Sequence, residues 1–284
     1  MQESFIPPLP RDTARAVEFV APECPPLLLV GDQLEKIVAG IKVRELDPDA
    51  EHPLGPLRMA LLTFMQSTWL LSDLQALERV RQKPEWKYAL RLPLSAIGYQ
   101  PDSLCAFRRP LYQNQMGQKV LQQLAVRFAD IGLFLEAAQS TDSAALLREV
   151  CSINRAECVI EAMRQALEAI ALTAPAWLVR IARPHWYERF ESHSWNSHAL
   201  LAQHNSQAFA VAIGGDVHHL LAQVKESGDP QLFRLPEVEQ LHQIWLSQFD
   251  HQGQVLAWST ATCNFCVYEN AHCRSAAARY RYPS

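Results

Sequence analysis

Glycine is scarce in this chain: 10 residues in 284, against 18 prolines. A strand-rich fold with many tight hairpins needs more glycine than this, so the balance points to helices. No apolar run approaches the ~18 residues that suggest a membrane span. The first residues, Met1-Gln2-Glu3-Ser4-Phe5, lack the basic start and apolar run of a secretory leader. Also missing are a glycine-rich phosphate loop, a Gly-x-Ser-x-Gly nucleophile elbow, and a histidine pair at i, i+4 around a glutamate. His185, His193, His198, His204, His218 and His219 therefore read as ordinary histidines. These absences lead us to expect a cytoplasmic protein with no membrane association and no nucleotide-loop or zinc-hydrolase chemistry.

Cysteine is limited to an odd set of seven, Cys24, Cys105, Cys151, Cys158, Cys263, Cys266 and Cys273, scattered over the whole length. That is the usage of a reducing compartment and not of a disulfide framework. Cys263 and Cys266, with His272 and Cys273, form a nominal four-ligand set. The second pair is adjacent in sequence, which argues against a shared zinc ion. Net charge is −4, so any nucleic-acid partner must be met by local positive charge.

What is present is helical patterning on a core of ordinary size, with 49% hydrophobic and 20% charged residues. Residues 1–55 carry Pro7, Pro8, Pro10, Pro22, Pro25, Pro26, Pro48 and Pro53, and read as an irregular arm with one short helix from Asp32 to Ile41. Residues 56–132 read as a cluster of short helices. Met59, Leu61, Leu62, Phe64 and Met65 make the first of them apolar nearly all round. Ser72 and Gln75 form a capping box, Pro84 opens another helix, and Leu104 to Arg109 is stopped by Pro110. Val120, Leu121, Leu124 and Phe128 line one face of a longer helix that Gly132 ends. Residues 133–284 start with an expected strand towards Asp142. Helices follow: one capped by Asn154, one over Ala199–Ile213 stopped by Gly214-Gly215 with Asp216 capping the next, and one opened by Pro236.

Two stretches could carry chemistry. Arg79, Arg81, Lys83, Lys87 and Arg91, interleaved with Trp86 and Tyr88, are followed by Arg108 and Arg109. Short capped helices with basic faces suit contacts to backbone phosphates. Glu78 and Glu85 lie in the same stretch, so a solvated charged face is the plain alternative. In Arg180 to Arg189 arginines again alternate with aromatics, and here Trp186 and Tyr187 read as core anchors. Asp142, between Thr141 and Ser143, reads by itself as a helix cap.

The order of short motifs resembles the front part of bacterial DDE insertion-sequence transposases. It runs through Arg58-Met59-Ala60-Leu61, Leu71-Ser72-Asp73-Leu74-Gln75-Ala76, Glu85-Trp86-Lys87-Tyr88-Ala89-Leu90, Phe107-Arg108-Arg109-Pro110-Leu111 and Thr141-Asp142-Ser143. It continues with Ile153-Asn154-Arg155-Ala156-Glu157, Ala174-Pro175-Ala176-Trp177-Leu178, His185-Trp186, Ile213-Gly214-Gly215-Asp216 and Ala278-Arg279-Tyr280. The resemblance covers nearly the whole chain. It implies a mainly α protein: a helical DNA-binding domain, then an incomplete, helix-rich start of a ribonuclease H-like catalytic domain. Asp142 would be the first of three carboxylates that hold two magnesium ions. The implied partner is double-stranded DNA at the terminal inverted repeats, with a second copy or an intact transposase as protein partner. Ala144 and Ser140 depart from the family pattern, which has Thr and Arg there. The family's second Asp and its Glu are expected beyond Ser284, and the Cys263–Cys273 stretch suggests reading-frame damage. The expectation is thus a polypeptide that grips DNA without strand transfer. The alternatives are a regulator that binds DNA ends or transposase, and a separate metal enzyme joining Asp142 to Asp216, Asp250 or Glu269.

Overall fold

The computed structural model describes residues 6–20, 25–52, 54–131, 142–190, 206–252 and 255–258. The described chain is mainly helical and divides into two compact units, Met1–Val150 and Cys151–Ser284. The expected boundaries at 55/56 and 132/133 are not where this division falls. None of its described helices is long and apolar enough to cross a membrane.

In the first unit several prolines start helices instead of breaking them. Pro10 precedes α1 (Arg11–Phe19), and Pro25-Pro26 open α2 (Pro25–Val38). The reason is that proline lacks only an N–H that the first helical turn leaves unpaired anyway. Residues 1–55 are therefore not an irregular arm. Leu27, Val30 and Leu34 of α2 are buried, and α1 and α2 both pack on α5 (Pro84–Ala89). Gly31 makes the second contact possible, because a Cβ there would run into the Tyr88 ring.

The centre of this unit is α3 (Leu54–Trp69), with Leu57, Leu61, Leu62, Phe64 and Met65 at most 1% exposed. Around it lie α4 (Asp73–Gln82), α6 (Pro101–Leu111) and α7 (Gln115–Asp130). Phe64 meets Phe128 edge to face at 5.2 Å, and Trp69 meets Trp86 at 5.4 Å. α6 runs from Pro101 to Leu111 with Pro110 inside its last turn, longer at both ends than the pattern suggests.

The first unit ends within α8 (Ser143–Thr173), a 31-residue helix. Asn154, the expected cap, lies in its interior and is buried. The second unit continues with α9 (Pro175–Ile181), α10 (His185–Phe190), α11 (Ser206–Ser227), α12 (Pro230–Phe233) and α13 (Pro236–Gln248). Val238, Leu241 and Trp245 of α13 are buried. A hairpin of β1 (Phe249–Gln252) and β2 (Val255–Trp258) follows, antiparallel, with Phe249 opposite Trp258. The expected strand towards Asp142, the helix start at Ala199, the cysteines at 263, 266 and 273, and the segment 278–280 lie outside the described residues.

Candidate nucleic-acid interface

The capping box that opens α4 is present in both directions. Ser72 Oγ accepts from the Gln75 N–H, and the Ser72 N–H donates to Gln75 Oε1. It holds the first turn, and Asp73 in that turn enters the core. Arg108 Nη2 donates to Asp73 Oδ2 at 2.5 Å, and its Nη1 donates to Gln66 Oε1 at 3.0 Å. Gln66 Nε2 donates in turn to Asp73 Oδ1 at 2.6 Å. Asp73 is 0% and Arg108 2% exposed, so this ion pair is fully interior and joins α3, α4 and α6. A second clamp is Arg58, whose Nε and Nη2 donate to the carbonyls of Leu90 and Arg91, both at 2.7 Å.

The basic residues therefore divide into two groups. Arg79, Arg81 and Arg109 are exposed and Lys83 is half-buried. Arg81 also faces Glu78 at 3.3 Å. Lys87, Arg91 and Arg108 are buried. Lys87 donates to the Leu94 carbonyl, and Arg91 to the carbonyls of Gly31 and Pro7. These three cations meet interior acceptors: Arg91 ties the N-terminal segment and α2 to the end of α5, Lys87 holds the turn after α5, and Arg108 joins α6 to α3 and α4.

α4 and α6 run antiparallel. Asp73 at the start of α4 meets Arg108 near the end of α6. Gly98, just before α6, lies against Val80 near the end of α4, with a Cβ there 3.4 Å from Val80 Cγ1. Arg79 and Arg81 thus sit at one end of the pair and Arg109 at the other. Arg81 lies eight positions after Asp73, about 12 Å along the helix axis at ~1.5 Å per residue.

Asp142 is the cap of α8. Its Oδ1 accepts from the Ala144 N–H at 2.9 Å, and its Oδ2 lies 3.6 Å from Arg148. Both side chains are more than half exposed. No group of three or more potential metal ligands occurs among the described residues. Among the described residues, the groups placed beside Asp142 are the Ala144 N–H and the Arg148 guanidinium. Asp216 is not available as a companion, because it is engaged elsewhere.

That engagement is the feature sequence reasoning missed. α11 continues through Gly214-Gly215, and Asp216, 3% exposed, lies in its interior instead of capping a new helix. Its Oδ1 faces Arg183 at 3.5 Å and His185 Nε2 at 2.9 Å, and its Oδ2 accepts from Arg189. Of the two expected anchors, Trp186 is buried and Tyr187 is 68% exposed. The available signal was a lone carboxylate in the apolar run Ala210-Val211-Ala212-Ile213-Gly214-Gly215-Asp216-Val217, which demands a cationic partner.

Arg155 is interior too, donating to Gln248 Oε1 at 2.7 Å and to the Gln248 carbonyl at 3.1 Å. Glu149, half-buried, accepts from Ser67 Oγ, and burial pushes its pKa above the ordinary carboxylate value. Cys151 and Cys158 are buried. Comparison with family models, with curated proteins and with solved structures finds no match for this chain.

Proposed function

We propose that the chain binds double-stranded DNA at the terminal inverted repeats of an insertion sequence, as the helical part of a DDE-class transposase. The observation that carries this reading is the way the separate motifs of the resemblance meet. Arg58 of the first motif holds the carbonyls of Leu90 and Arg91 at the end of the third. Asp73 of the second pairs with Arg108 of the fourth. In the second unit His185 meets Asp216, joining two more. Motif residues that brace one another are what a shared fold requires.

On this reading Arg79, Arg81 and Arg109, with Lys83 beside them, contact backbone phosphates from two ends of a helix pair locked by Asp73 and Arg108. The test is fluorescence anisotropy of the full chain on element-end duplex DNA over a range of salt. Replacing Arg79, Arg81 and Arg109 together by Gln should weaken binding and flatten the log K against log salt slope by up to about 3, at ~0.9 per phosphate contact. No binding by the native chain, or an unchanged slope in the variant, would falsify the reading.

Asp142 in its role as a helix cap favours a second reading within the same class: a regulator that occupies DNA ends or an intact transposase and blocks transposition. Co-purification with an intact transposase of the same class is its test, and a chain that binds neither DNA nor transposase would rule it out.

A further inference from the structure

The centre around Asp216 has more positive charge than a structural ion pair needs. One carboxylate faces two guanidinium groups and an imidazole, so a surplus of at least one positive charge remains. The carboxylate forms the floor, at 3% exposed. Arg189 is 19% exposed, and Arg183 and His185 are each 43% exposed at the rim. A guanidinium carries five N–H donors in a fixed fork. Each arginine directs one nitrogen at Asp216, which orients the rest without consuming them. His185 and Arg189 are one helical turn apart on α10, and Arg183 precedes that helix, so all three converge on the carboxylate from one short segment. Fixed, partly exposed forks of this kind recognise tetrahedral oxyanions, because parallel N–H groups match pairs of phosphate oxygens.

We propose that Arg183, His185 and Arg189, positioned by Asp216, bind a phosphate oxyanion, supplied by a nucleic-acid backbone. The oxyanion site stands on the geometry of the second unit alone. The source of the phosphate rests on the DNA-binding reading above, with Tyr187, 68% exposed beside the cluster in sequence, as a stacking surface for a neighbouring base or sugar.

The experiment uses the full chain and two probes: inorganic phosphate by calorimetry, and a short duplex of mixed sequence by anisotropy across salt. Arg183→Gln removes the rim cation with the longest contact and leaves Asp216 held by Arg189 and His185. It is expected to weaken phosphate binding about tenfold with an unchanged unfolding midpoint, and to lower the duplex salt slope by about 1. If the midpoint falls, His185→Gln is judged by the same criterion. No measurable phosphate binding by the native chain, or equal affinity in native and variant proteins, overturns the site. A phosphate effect with an unchanged duplex slope overturns the nucleic-acid source and assigns the site to free phosphate. The Arg79, Arg81 and Arg109 variant should bind phosphate as the native chain does, so failure of the first unit's DNA surface is read separately.

Discussion

At the scale of single residues, the largest consequence belongs to the pair of Asp73 and Arg108. Each is interior, and removing either leaves a desolvated charge without its counterpart. Arg108→Met is expected to destabilise the protein by about 3–5 kcal/mol in urea unfolding. The double change Asp73→Leu with Arg108→Met should cost less, because no orphan charge remains. An exposed phosphate contact would show the opposite, with little stability effect from either change. The burial of Arg108 was in fact legible. Leu104, Phe107, Arg108 and Leu111 form one i, i+3, i+4, i+7 stripe on α6, and the three hydrophobic members are at most 7% exposed. Charge composition drew attention outward where helical phase pointed inward. The buried position of Asp73, by contrast, was hidden by its place in the first turn of α4, where an acidic residue needs no other explanation. Glu149 supplies a pH prediction of known sign. Burial raises its folded pKa above the ordinary carboxylate value, so the folded state holds the proton more tightly than the unfolded state. Stability is then fullest below that value and declines as pH rises through the folded pKa. Glu149→Gln should remove this decline, seen as a flatter unfolding midpoint from pH 4 upward, and an identical pH profile in both proteins would refute the assignment.

Among elements, the helix ends separate what a sequence can announce from what it cannot. The capping box at Ser72 and Gln75 and the proline at the start of α5 are local signals, and both act as their chemistry predicts. Gly214-Gly215 looked like the same kind of signal and is not. A glycine stops a helix by taking positive φ, and neither of these does so, whereas Gly40 after α2 and Gly228 after α11 do, at +76° and +64°. Which glycine turns is decided by what the following residues can bury, information that is not local. The difference can be measured. A Cβ on Gly215 meets nothing within 4 Å, so Gly215→Ala in the interior of α11 should stabilise by about 0.5–1 kcal/mol. Gly228→Ala should destabilise by about 1 kcal/mol, because alanine resists the left-handed conformation. The long α8 illustrates the same limit. Asp142 caps it, and Leu146, Leu147, Val150 and Ile153 carry its buried stripe up to Asn154. Taking Asn154 for the cap placed the helix start too late, since it lies inside α8.

Across the whole molecule, a net charge of −4 coexists with local excesses of positive charge, and burial decides which of those excesses can reach a partner. The exposed set Arg79, Arg81 and Arg109 and the interior set Lys87, Arg91 and Arg108 come from the same basic stretches of sequence, and composition cannot tell them apart. Their physics differs, so their variants should sort into two classes when each is measured for both unfolding free energy and the salt dependence of duplex binding. Single Gln replacements in the exposed set should change stability by less than about 0.5 kcal/mol, as surface positions usually do, while each lowers the salt slope by about 1. Single Met replacements in the interior set should cost several kcal/mol at Arg108, for the reason given above. At Lys87 and Arg91 the cost is about 1–3 kcal/mol, the penalty for leaving buried carbonyls unsatisfied. Their slopes should stay at the native value wherever the variant is folded. A slope change at a folded Arg91→Met protein would mean that this side chain leaves Gly31 and Pro7 to meet phosphate. In that case α2 would have to move off α5 for DNA to bind.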